Sequence, residues 1–257
     1  MKLLEMNMRN AVVSLLLVMC VVGTSFAEGE EAVTDEAAGI GVDVTIDFYS
    51  KYVWRGQNLV DDWVLQPGAS TTFGNFTLGV WGNVDMTNEN DEEWNFTEVD
   101  YYADYSADLT DGIGYSLGYI YYQFPQASGD TYEFYGGLNF DTFLSPSVTW
   151  YYDADEVEGS YVSFAIGHSI ELPENIPFGI DLGLNVGWAD SDYNAAYWDV
   201  DDDGFNDLTL SVGFPMEIGG WSVTPSVNYV SLIDSDISDA ASDDDIFYAG
   251  ISLGTSF

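Results

Sequence analysis

Arg55 and Lys51 concentrate the chemistry of this chain, because almost nothing else in it is positively charged. The sequence holds 44 Asp and Glu against four Lys and Arg, with a single His. The other two bases, Lys2 and Arg9, stand near the N-terminus. In an extended segment, Lys51 and Arg55 share a face with Asp43 and Asp47, since side chains alternate with period two. Glu98, Asp100 and Asp104 recur with one parity on a later segment. On the inner wall of a pore, such residues would line the lumen and set which ions pass. Two readings follow for Lys51 and Arg55. They form a charged constriction that orients solutes, or they are structural ion pairs compensating lumen carboxylates such as Glu98, Asp100 or Asp104. Gly56 adds a turn that calls for positive φ beside Arg55.

A second acidic pattern suits a hard cation. Asp199, Asp201, Asp203 and Asp207 match the first, third, fifth and ninth positions of a calcium loop, with Gly204 between them and the Phe205 carbonyl at the seventh. Leu210 stands where the bidentate Glu belongs, which departs from a true EF-hand. The competing reading is a solvated acidic loop like residues 243–245. Calcium is thus the one cofactor the residues suggest. Enzyme chemistry finds no set of groups to build on. His168, the lone histidine, shares parity with Phe164, Ile166 and Ile170, while Ser169 falls on the opposite face, so the two do not pair as base and nucleophile. The chain reads as a non-enzyme.

The elements that must position these residues alternate with period two almost throughout. Val42, Val44, Ile46, Phe48, Tyr52 and Trp54 fall on one face of the first segment, and eleven similar segments follow. The connections alternate in length. Those at 74–75, 110–112, 141–143, 172–177 and 217–220 are short; those at 56–62, 87–95, 123–130, 153–159, 189–204 and 232–245 are generally longer and mostly acidic. That rhythm predicts an all-β, antiparallel up-and-down transmembrane barrel of about twelve strands over residues 41–257, with short periplasmic turns and long extracellular loops. Residues 28–40, acidic and without periodicity, read as a periplasmic tail.

The N-terminus supports export. Lys2 and Arg9 precede an apolar run at 11–23, and Ser25-Phe26-Ala27 offers the small residues a signal peptidase reads, so residues 1–27 are expected to be cleaved. Cys20 raises a lipoprotein alternative, but Met19 stands where that signal wants a small residue. Cleavage would leave Lys51 and Arg55 as the only bases, a balance that excludes nucleic acid as a partner. With 16% aromatic and 47% hydrophobic residues, the acidity does not signal disorder. A soluble sandwich would hide its apolar face and show water a polar one. Here Phe73, Phe76, Phe140, Phe178, Phe214, Trp221 and Phe257 mark one end of the apolar faces, and Trp54, Tyr121, Trp150, Trp188 and Tyr229 the other. Two aromatic belts of this kind suit the two lipid–water interfaces.

Ser50-Lys51-Tyr52-Val53-Trp54-Arg55-Gly56 resembles the S-x-Y-V-W-R-G signature of the TorF-type porins, also called the Gcw_chp family. The resemblance is specific over these seven residues and loose elsewhere. It implies an integral barrel of the bacterial outer membrane. The end of the chain, residues 248–257 closing on Phe257, looks like the β-signal read by the outer-membrane assembly machinery. The expected function is a passive channel for small neutral or cationic solutes. The alternative is a non-conducting barrel whose acidic loops bind calcium or a partner.

Overall fold

Val44, Ile46 and Phe48 alternate with Thr45, Asp47 and Tyr49, so each face of that strand can meet a different environment. A computed structural model, which describes residues 41–88, 93–173 and 175–257, carries this alternation around a closed wall. The signal peptide and acidic tail expected over residues 1–40 lie outside the described residues.

In chain order the strands are β1 (Asp43–Tyr49), β2 (Tyr52–Trp54), β3 (Gln57–Val60), β4 (Val64–Phe73), β5 (Phe76–Asp85), β6 (Asn95–Thr110), β7 (Ile113–Gln123) and β8 (Thr131–Phe140). They continue with β9 (Ser147–Asp153), β10 (Ser160–Ile170), β11 (Ile180–Ala189), β12 (Gly204–Gly213), β13 (Met216–Ile218), β14 (Trp221–Leu232) and β15 (Asp245–Ser256). Two short helices, α1 (Ser191–Trp198) and α2 (Ser235–Ala240), sit in the last two long connections. β1 pairs antiparallel with both β4 and β15, and β12 pairs with β14. Twelve strands therefore close on themselves, leaving no free edge. β13 extends the wall beside the start of β14, and β2 with β3 forms a hairpin outside the wall's ladder.

Connections alternate in length toward both ends of the chain but not in the middle, where residues 141–146 and 154–159 are equally long and 171–179, expected as a short turn, are longer than either. Gly74-Asn75 links β4 to β5 in two residues, whereas residues 50–63 separate β1 from β4. The outward face is apolar: Phe76, Leu78, Leu117, Phe134, Leu138, Trp150, Phe164, Leu182 and Phe247 are exposed. An exterior of this kind belongs in lipid, where a closed barrel satisfies every backbone hydrogen bond. Leu117 lies midway along β7, so Leu117→Arg should cost about 2–4 kcal/mol of folding stability in a bilayer. Urea titration of the protein folded into vesicles checks this; Leu117→Phe should leave the midpoint nearly unchanged.

The inward face is polar and closely fitted. Gly79, Gly118 and Gly250 stand opposite Tyr102, Tyr135 and Tyr49, and a Cβ at each glycine would overlap the ring of its partner. The missing side chains are what let three tyrosines lie flat against the wall.

Candidate functional site

β1 does not continue to Arg55. It ends at Tyr49, and residues 52–60 turn inward as the β2–β3 hairpin, which docks in the long-loop half of the barrel. At its tip, Arg55 (φ 46) and Gly56 (φ 86) both have positive φ, between the paired Trp54 and Gln57. This is the requirement of a type I′ turn, whose twist suits a tight hairpin. Gly56 is the natural residue there. Arg55 adopts the left-handed region at a cost of about 1–2 kcal/mol, which its contacts must offset.

Those contacts are many. The Arg55 guanidinium makes a bidentate pair with Glu133 of β8, Nη1 to Oε1 at 2.6 Å and Nη2 to Oε2 at 2.7 Å. Its Cζ lies 4.5 Å from the Trp54 ring centroid, 4.4 Å from that of Tyr151 and 4.6 Å from that of Tyr161. Tyr122 donates to Glu133 Oε2 at 2.8 Å, and Tyr161 donates to Asp207 at 2.8 Å. Tyr193 and Tyr197, on α1, complete the aromatic cage, with Tyr197 also packed on Trp54. Burial works to discharge the guanidinium, but Glu133 opposes it, and the net effect holds Arg55 well above its ordinary pKa. Lower on the hairpin, Tyr52 donates to Glu98 Oε2 at 2.8 Å and packs at a tilt against Trp81, with Val60 and Val64 buried beside it. A planar, permanently charged fork suits such a cage better than lysine would.

Several expectations are corrected by this arrangement. Trp54 is no outward belt residue; it packs inside against Tyr122 and Tyr197. Tyr52 likewise points inward and is buried. Arg55 pairs with Glu133 rather than with Glu98, Asp100 or Asp104, and Lys51 pairs with Asp61 of its own loop. The physical reason is the early end of β1: once the chain leaves the ladder, period two no longer decides which side a residue faces.

Asp43 and Asp47 stand on β1 and Glu98, Asp100 and Asp104 on β6, with Asp47 and Glu98 buried. Asp104 accepts from Tyr135 at 2.6 Å and Ser106 at 2.5 Å, and Asp43 accepts from Ser256 at 2.6 Å. The aspartates of the calcium pattern divide. Asp199 is the C-cap of α1, whereas Asp207 already belongs to β12 and is buried against Tyr161. β12 starts at Gly204, so this connection is not a plain acidic loop: α1 fills half of it and faces the cage. Among the described residues, no group of three or more His, Cys, Asp or Glu is placed to hold a metal ion.

His168 stands near the short-turn end, its Nδ1 2.9 Å from the Phe143 carbonyl oxygen and its ring 4.3 Å from that of Phe143. Ser169, on the other face, stands opposite Asp181 in the ladder. The residues that sequence reasoning missed are Glu133, Tyr122, Tyr151, Tyr161 and Tyr193; Asp207 was singled out, but as a calcium ligand and not as the acceptor of the Tyr161 hydroxyl. One signal pointed at them: an unusual number of tyrosines on the inward, otherwise polar, parity.

No family model matches the chain, and no curated protein matches it. Among solved structures it is similar to the KdgM porin (TM-score 0.50, 11% identity, 85% of this chain and 99% of that one). It is similar also to a KdgM porin in complex with disordered oligogalacturonate (TM-score 0.53, 12% identity, again 85% and 99%). LpxR from Salmonella typhimurium aligns with TM-score 0.49 at 9% identity, over 84% of this chain and 99% of that one. The TorF-type resemblance rests on the seven-residue signature, with looser agreement in length, strand rhythm and terminal aromatic. What the chain shares with the two porin structures is the fold, a closed antiparallel β-barrel.

Proposed function

We propose that this protein is a narrow outer-membrane channel for small neutral or cationic solutes, constricted from the long-loop side by the β2–β3 hairpin. The short turns face the periplasm in this reading and the acidic loops face outward. Phe257, exposed at the end of β15, is offered to the assembly machinery. The observation that supports the channel most is a closed wall with a carboxylate-lined interior. Twelve strands leave at most a narrow passage, so the side chains within it govern what passes.

Charge argues for the solute class. A similar porin is described with oligogalacturonate, a chain of sugar acids. This interior has the opposite chemistry. Among the described residues Arg55 is its one base, and Glu133 engages it fully. Asp43, Asp47, Glu98, Asp100, Asp104 and Asp207 would repel an acidic sugar and concentrate cations.

Planar-bilayer recording of the mature chain under a KCl gradient tests the reading. Discrete steps with a reversal potential displaced toward that of potassium are expected. A bilayer that holds the folded barrel and shows no steps would overturn it.

A further inference from the structure

Six inward residues on six neighbouring strands form one row across the wall: Glu98, Asn83, Gln66, Asp47, Ser252 and Thr224. The ladder sets the row directly, because Asn83 pairs with Glu98, Asp47 pairs with Gln66 and Ser252, and Ser252 pairs with Thr224. All six are buried, Asp47 to 2% exposure and Thr224 to 5%. Gln66 donates its Nε2 to Asn83 Oδ1 at 3.0 Å, which leaves its carbonyl end for another partner.

Asp47 stands out within this row. Ser252 faces it across the ladder, with its Oγ 3.2 Å from the Tyr49 hydroxyl, yet Asp47 Oδ2 is buried with no donor, and Thr224 Oγ1 is buried with no partner. Buried polar atoms are nearly always satisfied, and an orphan carboxylate oxygen is among the most unfavourable exceptions. No side chain can neutralise it: of the bases among the described residues, Lys51 is held by Asp61 and Arg55 by Glu133.

We infer that Asp47 holds a monovalent inorganic cation in the lumen, bound by its carboxylate with the Ser252 hydroxyl and the Gln66 carbonyl. One carboxylate among neutral oxygens suits sodium or potassium. Calcium calls for six to eight oxygens and usually several carboxylates, and magnesium for a strict octahedron. Thr224 lies two strand spacings from Asp47, roughly 9–10 Å. That is within reach of an ion that keeps a water, which its free hydroxyl would bind. The site rests on the channel reading only in that an ion must be able to enter; binding does not require conduction.

The test is therefore an equilibrium one. Thermal unfolding of the detergent-folded mature chain is followed by circular dichroism as potassium or sodium chloride replaces choline chloride at constant ionic strength. Choline supplies the same screening of the acidic surface but is too large for the row. The midpoint should rise with the small cation in a saturable way, and the rise should be lost in Asp47→Asn. Ser252→Ala, a smaller change that keeps the wall, should weaken the apparent affinity several-fold, and carries the test if Asp47→Asn does not fold. Equal midpoints in choline and potassium or sodium, or an undiminished rise in Asp47→Asn or Ser252→Ala, would overturn the site. Ion-linked stability without conductance would leave the site standing and sink only the channel.

Discussion

Arg55→Met should release the β2–β3 hairpin from the lumen. The substitution keeps much of the side chain's bulk but strands Glu133, 3% exposed, without its counter-charge. Removing one partner of a buried pair costs about 3–5 kcal/mol. Because the hairpin is no part of the wall's ladder, that penalty falls on its docking rather than on the barrel. It would shift the docked-to-undocked ratio by about two to three and a half orders of magnitude. The expected record is more frequent and larger openings in planar bilayers, with heat-resistant migration of the folded barrel preserved.

The double variant separates charge from packing. Glu133→Gln removes the stranded charge and keeps an acceptor for the Tyr122 hydroxyl, now 2.8 Å away. Arg55→Met with Glu133→Gln should therefore close again toward wild-type conductance. A double-mutant cycle on open probability reads the coupling, which for groups in contact is expected to be well away from zero. Openings in Arg55→Met indistinguishable from wild type would mean that the aromatic cage alone holds the hairpin.

Gly118→Ala is expected to damage the barrel itself. A methyl group there would overlap the Tyr135 ring on the neighbouring strand. Overpacking of a fitted interior costs about 1–3 kcal/mol, occasionally more, and the directness of this overlap places it at the upper end. Tyr135 is also anchored through its hydroxyl to Asp104 at 2.6 Å, so it cannot swing aside without losing that bond. In a Tyr135→Ala background the same Gly118→Ala change should cost little. Urea midpoints of the four proteins in lipid vesicles check the non-additivity, and an equal loss in both backgrounds would refute the steric account.

Strand number and much of the lipid-facing set were legible in the sequence for one reason. A β-barrel wall is a period-two object, so parity alone sorts residues such as Leu117 and Phe164 outward and Asp47 and Asp104 inward. What the sequence by itself determined was therefore the wall. The tertiary structure decided everything inside it. The fate of Lys51, Trp54 and Arg55 turned on where β1 leaves the ladder, and nothing local in their alternation marks Tyr49 as its end. The choice of Glu133 as partner for Arg55, 78 residues away, depends on which inward positions the closed ladder brings opposite the hairpin tip. Asp207 shares the inward parity of Thr209 and Ser211, but only the closed ladder brings it to the Tyr161 hydroxyl, 46 residues away. Period two places a residue on a face, but only closure of the wall says which faces meet across the lumen.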